Sequence, residues 1–212
     1  MPISIHAIIP ARYQSSRFEG KPLALINGKP MIQHVVERAQ ASDLVAQVVV
    51  ATDDERIAQV VEGFGGRWVT TRSHHKSGTD RLAEAAGLLG LLDEDVVVNI
   101  QGDQPLFAPA VVAEVARPML TEPDLPMATL MYKITRPEEI TNPNHVKTVF
   151  DQQGRALYFS RATIPFCRDG GESEAGYYRH LRFYAYRKKS PDTFLALPMG
   201  QWERLEKLEQ LR

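Results

Sequence analysis

Cysteine is almost absent from this chain. Cys167 stands alone among 212 residues, so neither an internal disulfide nor a cysteine-built zinc site can form within it. His74 and His75 are adjacent, which is the wrong spacing for two ligands on one helix face. Net charge is equally scarce: 25 Lys and Arg against 26 Asp and Glu leave −1, so nothing global attracts nucleic acid or an anionic membrane. Any anion site must be local. No apolar run approaches the length needed to cross a bilayer, and no basic segment followed by an apolar one opens the sequence. The expected location is therefore the cytoplasm. Both familiar phosphate loops are missing, because no Gly-x-Gly-x-x-Gly follows the first strand and the Gly-Lys pairs at 20–21 and 28–29 precede Pro rather than Ser or Thr. Internal repeats, low-complexity tracts and interdomain linkers are absent as well.

With 43% hydrophobic and 24% charged residues, the sequence suits one globular domain over 1–212. Ile3 to Ile9 is nearly continuous apolar sequence, as a strand covered on both faces should be, and Pro10 is expected to end its ladder. Met31, Ile32, Val35, Val36 and Ala39 mark a helix, then Val48 to Val50 a strand. Ile57, Val60, Val61 and Phe64 repeat at helical spacing, with Asp53 and Asp54 as caps and Gly65-Gly66 as the stop. A short strand near Trp68-Val69, a helix carrying Leu82, Ala85, Ala86 and Leu89, and a strand from Val96 to Ile100 continue the alternation, which predicts a parallel sheet with right-handed crossovers. After a helix with Val111, Val112, Val115 and Leu120, strands are expected over 127–134, 146–150, 156–160 and 180–186. Too little sequence separates these for helical crossovers, so part of this half should be antiparallel. Pro165 to Tyr178, rich in Gly, Glu and Asp, reads as a mobile loop.

The loop after the first strand gathers Arg12, Arg17 and Lys21 with Ser15, Ser16 and Gly20, whose backbone donors can approach phosphate oxygens closely. It begins at the carboxyl end of a strand, where open α/β sheets bind ligands. Such a loop can neutralise a polyphosphate, or it can be an exposed basic loop. Asp103, after Gly102, should emerge on the same edge, either as a hard oxygen ligand for Mg²⁺ or as a turn cap before Pro105. Ser77-Gly78-Thr79-Asp80 has the form of a capping box opening a helix.

Pro10-Ala11-Arg12, Ser16-Arg17 and Gly20-Lys21-Pro22-Leu23 together resemble the signature loop of the sugar-nucleotide cytidylyltransferases, in particular the 3-deoxy-manno-octulosonate cytidylyltransferase (CMP-Kdo synthetase) family. The likeness continues through Thr52-Asp53, Ser77 to Arg81, Asn99 to Pro105, Ala156 to Pro165 and Leu208 to Arg212. It implies a Rossmann-like three-layer α/β sandwich, mostly parallel with an antiparallel subregion. It also implies transfer of CMP from CTP to 3-deoxy-manno-octulosonate for lipopolysaccharide biosynthesis, with Mg²⁺ on Asp103, Arg12 and Lys21 as catalytic cations, and a homodimer. Ala11, Arg12, Ser16, Arg17, Lys21, Arg72, Ser77, Gly78, Thr79, Arg81 and Gln101 would bind the nucleotide. Gln101, Arg161, His180, Tyr184, Glu209 and Gln210 would hold the sugar acid.

Two residues depart from the family pattern: Glu19 stands where Pro is usual, and Gln104 where Glu is common. The resemblance also implies a further strand and helix beyond Arg212 that carry a second metal-binding aspartate. Three alternatives follow. The acceptor could be 8-amino-3,8-dideoxy-manno-octulosonate, the chain could be a non-catalytic nucleotide-binding subunit, or the nucleotide could be UTP or GTP, since phosphate loops do not read the base.

Overall fold

The computed structural model of the chain describes residues 3–14, 18–75, 77–168 and 176–212. Contacts group the chain into two compact units, Met1–Ala128 with Arg182–Leu195, and Thr129–Leu181 with Ala196–Arg212.

The first unit opens with β1 (Ile5–Ala11), then a small hairpin of β2 (Leu25–Ile26) and β3 (Lys29–Pro30), and α1 (Met31–Gln40). It continues through β4 (Gln47–Thr52), α2 (Glu55–Gly63), β5 (Arg67–Thr70), α3 (Gly78–Leu88), β6 (Val96–Asn99) and α4 (Ala110–Thr121). Strands β5, β4, β1 and β6 lie side by side in that order and all run parallel. The helices between them supply the crossovers that parallel pairing demands.

Burial explains the strand composition. Ala7, Ile8, Ile9, Val49, Val50, Ala51, Val96, Val97 and Val98 are at most 1% exposed, so both faces of the central strands are covered and neither face can be polar. Against one face α3 packs Leu82, Ala85 and Ala86 onto Ile8, Ala51 and Val97. Ile32, Val35, Val36 and Ala39 of α1 are buried at the helical spacing read from the sequence. Each large aliphatic side chain so buried contributes about 1.5–3 kcal/mol. Asp54 caps α2 by accepting from the Arg56 N–H, while Asp53, the other expected cap, pairs with Arg81.

Pro10 does not end its strand. Pairing of β1 with β6 runs out at Ile8 opposite Asn99, whereas pairing with β4 continues to Ala11 opposite Thr52. Alternate residues of a strand bond to opposite sides, and Ile8 accepts from Ile100 on the β6 side, so the donor missing at Pro10 falls where no partner strand remains.

β7 (Met127–Lys133) leads into the second unit, which contains α5 (Pro137–Thr141), β8 (Lys147–Phe150) and β9 (Ala156–Ser160). β8 and β9 pair antiparallel, and β10 (Tyr178–Arg187) pairs antiparallel with β8 through Tyr178 and Arg179. The later residues of β10, Tyr184 to Arg187, belong to the first unit and pair antiparallel with β6. α6 (Lys189–Ala196), α7 (Gln201–Glu206) and a 3-10 turn at Glu209–Leu211 follow, where the sequence reading placed no element. Of the Pro165 to Tyr178 segment, residues 169–175 lie outside the described residues. Among the described residues no helix is long and apolar enough to cross a membrane.

Two polar clusters are buried in the second unit. The Lys147 ammonium, on a fully buried residue, donates to the carbonyls of Asn142 (2.9 Å), His145 (2.6 Å) and Arg161 (2.7 Å), and burial holds its pKa below the ordinary lysine value. Glu139 accepts from Tyr132 (3.0 Å) and Arg136, with Arg179 3.6 Å and His145 3.7 Å away. Burial, helped by Arg179, lowers the His145 pKa against the opposing pull of Glu139.

Candidate active site

The carboxyl end of β1 is the meeting point of three segments in the first unit. Ala11 is the buried last residue of the strand and Arg12 is the exposed next one. The loop they open closes at Gly20, whose N–H donates to the Tyr13 carbonyl at 2.8 Å. Gly20 has φ 68, in the left-handed region, and a Cβ there would lie 3.1 Å from the Tyr13 ring, so glycine is the fitting residue on both counts. The Arg56 guanidinium covers that ring at 3.3 Å from its centroid and is itself held by both oxygens of Asp54. Two of the expected phosphate ligands, Ser16 and Arg17, lie outside the described residues.

A 3-10 turn, Lys21–Leu23, follows Gly20 and presents Lys21. Its Nζ donates to Asp103 Oδ2 at 2.8 Å across 82 residues of sequence. Asp103 sits just beyond β6, and the turn that carries it passes so close to β1 that a Cβ on Gly102 would stand 3.2 Å from the Pro10 carbonyl oxygen. Both members of the ion pair are more than a third exposed, 36% and 54%, so the pair is accessible to ligands and adds little stability. Gln101 donates from its amide to Asn99 at 3.3 Å.

α3 supplies the third segment. Ser77 and Asp80 form the expected capping box, with Ser77 N–H to Asp80 at 2.7 Å and Asp80 N–H to Ser77 Oγ at 3.2 Å. A Cβ on Gly78 would lie 3.7 Å from the Pro10 ring, so the helix starts against the end of β1. Thr79 and Arg81 are buried, and the Arg81 guanidinium is committed to Asp53 (3.0 Å) and Thr71 Oγ1 (2.5 Å). Arg72 is exposed.

The expected sugar-binding residues divide between the units. Tyr184, in the first, lies opposite Asn99 on β10 and stacks with Tyr186. In the second, His180 is buried, with its Nε2 2.9 Å from Thr129 Oγ1 and its Nδ1 3.4 Å from the Gln210 amide, and its ring meets Phe159 edge-on. Glu209 shares the 3-10 turn with Gln210. Arg161 donates to the carbonyls of Glu206 (2.6 Å), Pro143 (3.0 Å) and Lys207 (3.4 Å), so its guanidinium braces the chain around α7.

For Mg²⁺, the fit rests on the donor set. Asp103 offers a hard, half-exposed carboxylate, and among the described residues no group of three or more His, Cys, Asp and Glu can cage an ion. A single carboxylate completed by substrate phosphates and water is an ordinary arrangement for magnesium.

The sequence reading missed three contacts that shape this edge: Tyr13 with Arg56, Asp53 with Arg81, and Glu84 with the 72–75 loop. Asp53 and Arg81 both fall inside quoted motifs, yet nothing in spacing along the chain marks them as partners.

A family model described as cytidylyltransferase matches residues 6–212. The chain is 59% identical over 208 residues to a 3-deoxy-manno-octulosonate cytidylyltransferase of Syntrophus aciditrophicus, covering 98% of this chain and 84% of that protein. It is 53% identical over 211 residues to an 8-amino-3,8-dideoxy-manno-octulosonate cytidylyltransferase of Shewanella piezotolerans, covering 99% and 85%. Among solved structures, that of a CMP:2-keto-3-deoxy-manno-octonic acid synthetase complexed with CTP superposes with a TM-score of 0.92 at 45% identity, covering 98% of this chain and 84% of that one.

Proposed function

This chain belongs to the cytidylyltransferase family, and from that premise we propose that it transfers CMP from CTP to 3-deoxy-manno-octulosonate, releasing pyrophosphate. The convergence of Lys21 and Asp103 beside the end of β1 carries the reading, because it sets a cation and a hard carboxylate on one accessible edge. Similarity to a synthetase solved with CTP supports the choice of nucleotide.

In the reaction the anomeric hydroxyl attacks the α-phosphorus, the bond to the β-phosphate oxygen breaks, and pyrophosphate departs. No covalent enzyme intermediate is needed. Arg12 and Lys21 offset charge on the phosphates as it shifts toward the leaving group and hold the triphosphate for in-line attack. Asp103 is the residue that would hold Mg²⁺, which when bound supplies charge neutralisation and acidifies the attacking hydroxyl. The start of α3, with Ser77, Gly78, Thr79 and Arg72, takes the nucleoside, while Arg81 braces that segment through Asp53 and Thr71. For the sugar acid the resemblance names Gln101 and Tyr184 in the first unit and His180, Glu209 and Gln210 in the second, while Arg161, named with them, has its guanidinium on the carbonyls around α7 and braces that segment. A cytoplasmic location and a homodimer complete the reading, the latter tested by sedimentation of the purified protein.

Incubation with CTP, Mg²⁺ and each octulosonate tests it directly. CMP-sugar and pyrophosphate should appear in equal amounts, faster with 3-deoxy-manno-octulosonate than with its 8-amino analogue. Faster turnover of the amino sugar would move the acceptor, preference for UTP or GTP would move the base, and CTP binding without pyrophosphate release would leave a non-catalytic subunit.

A further inference from the structure

Between β5 and α3 runs a short polar connection in which one carboxylate on the helix side holds two residues, Arg72 and His75. Glu84, half-buried on the second turn of α3, accepts from the Arg72 N–H at 2.9 Å and lies 2.5 Å from His75 Nε2, both through Oε2. Its Oε1 stands 3.3 Å from the Arg72 guanidinium Nε. Among the described residues, Arg72 and His75 have their hydrogen bonds on this one side chain. The loop's first residue, Thr71, is tied separately, its N–H to the Thr52 carbonyl and its hydroxyl to Arg81. Its last, Ser77, is tied by the capping box. Glu84 thus ties Arg72 and His75, while Thr71 and Ser77 are held by other partners.

α3 itself does not need Glu84. Leu82, Ala85 and Ala86 anchor the helix in the core, and Ser77 with Asp80 caps it. Burial would raise the Glu84 pKa, but the Arg72 N–H and His75 outweigh it and keep the group ionised. A charged acceptor is retained here at a desolvation cost, on a helix already secured, next to a loop that leads into Gly78 at the end of β1.

We infer that Glu84 is a positioning residue for nucleotide recognition: it latches Arg72 and His75 so that the 72–75 segment is preformed to receive the base and ribose. The inference rests on the nucleotide reading above. Without the latch the loop must be ordered by the nucleotide itself, and the cost falls on binding. Once CTP is bound, the phosphates still meet Arg12 and Lys21, so the chemical step is spared.

Calorimetric titration with CTP, beside steady-state kinetics on wild type, Glu84→Ala and Glu84→Gln, tests this. Glu84→Ala should weaken CTP binding and raise its KM by about tenfold, keep kcat within about threefold, and hold Tm within about 4 °C. Discrimination against UTP should narrow in parallel. Glu84→Gln retains an oxygen acceptor for the Arg72 N–H and should recover part of the affinity, and its affinity decides the matter if the alanine variant does not fold. Wild type that binds no CTP would sink the nucleotide reading and this inference with it. Wild type that binds CTP while the folded variants bind equally well, or lose kcat in place of affinity, would overturn the inference alone.

Discussion

Replacing Lys21 by Met separates what this residue does for the fold from what it does for the reaction. The substitution keeps most of the aliphatic stem and deletes the ammonium that sits 2.8 Å from Asp103. In bulk water two unit charges at that distance attract by about 1.5 kcal/mol, and ordering two long exposed side chains takes back part of it. With the partners 36% and 54% exposed, the net loss should be at most about 1 kcal/mol, which for a chain of this size moves Tm by about 2–4 °C. The catalytic loss has another scale. A preorganised donor aimed at charge that develops in the transition state is worth about 10²–10³ in kcat, and that is the role proposed above for Lys21 on the phosphates of the nucleotide. Initial rates of pyrophosphate release and thermal melts on the same Lys21→Met preparation should therefore diverge, activity falling by at least about a hundredfold while the melt barely shifts. A rate within tenfold of wild type would remove Lys21 from the mechanism, and a melt that collapses with the activity would show that the exposed ion pair was misjudged.

Other substitutions probe the scaffold behind the site. Gly102→Ala should slow turnover by displacing the Asp103 turn, because its Cβ meets the Pro10 carbonyl oxygen at 3.2 Å; unchanged kcat/KM would show that the turn yields without moving Asp103. Lys147→Met strips the donor from three carbonyls in the second unit and should lower stability by about 3 kcal/mol in urea titrations, read as a shifted midpoint at constant slope. His145, whose pKa is lowered in the fold, lends stability that is complete above its unfolded value near 6.5 and drains away as pH falls toward the folded value. Urea midpoints of His145→Gln should accordingly vary less between about pH 7.5 and pH 5 than those of wild type.

Legibility tracked the range of the interactions involved. The helices over 31–40, 55–63 and 78–88 could be read from side-chain spacing and caps because those signals act within a few residues, and burial on both faces imposed the nearly continuous apolar runs of β1, β4 and β6. α6 and α7 were missed: Lys189–Ala196 and Gln201–Glu206 are only 8 and 6 residues long, too short for a helical repeat to stand out. Pro10 was misjudged because its effect depends on which neighbouring strand it faces. Nothing local records that β6 stops pairing at Ile8 while β4 continues.

By itself, then, the order of residues determined the alternation of strand and helix, the loop of cations after β1, the capping box at Ser77 and the likeness to one family. All of these rest on neighbours along the chain or on motif order. Tertiary structure alone decided which charges meet: Lys21 with Asp103 across 82 residues, Arg81 with Asp53 in place of a free cation, Arg161 with the carbonyls around α7, and Glu84 with the loop it latches. The physical reason is that a charge chooses its partner by distance and burial in space, and both are fixed only when the sheet brings the ends of separate strands to one edge.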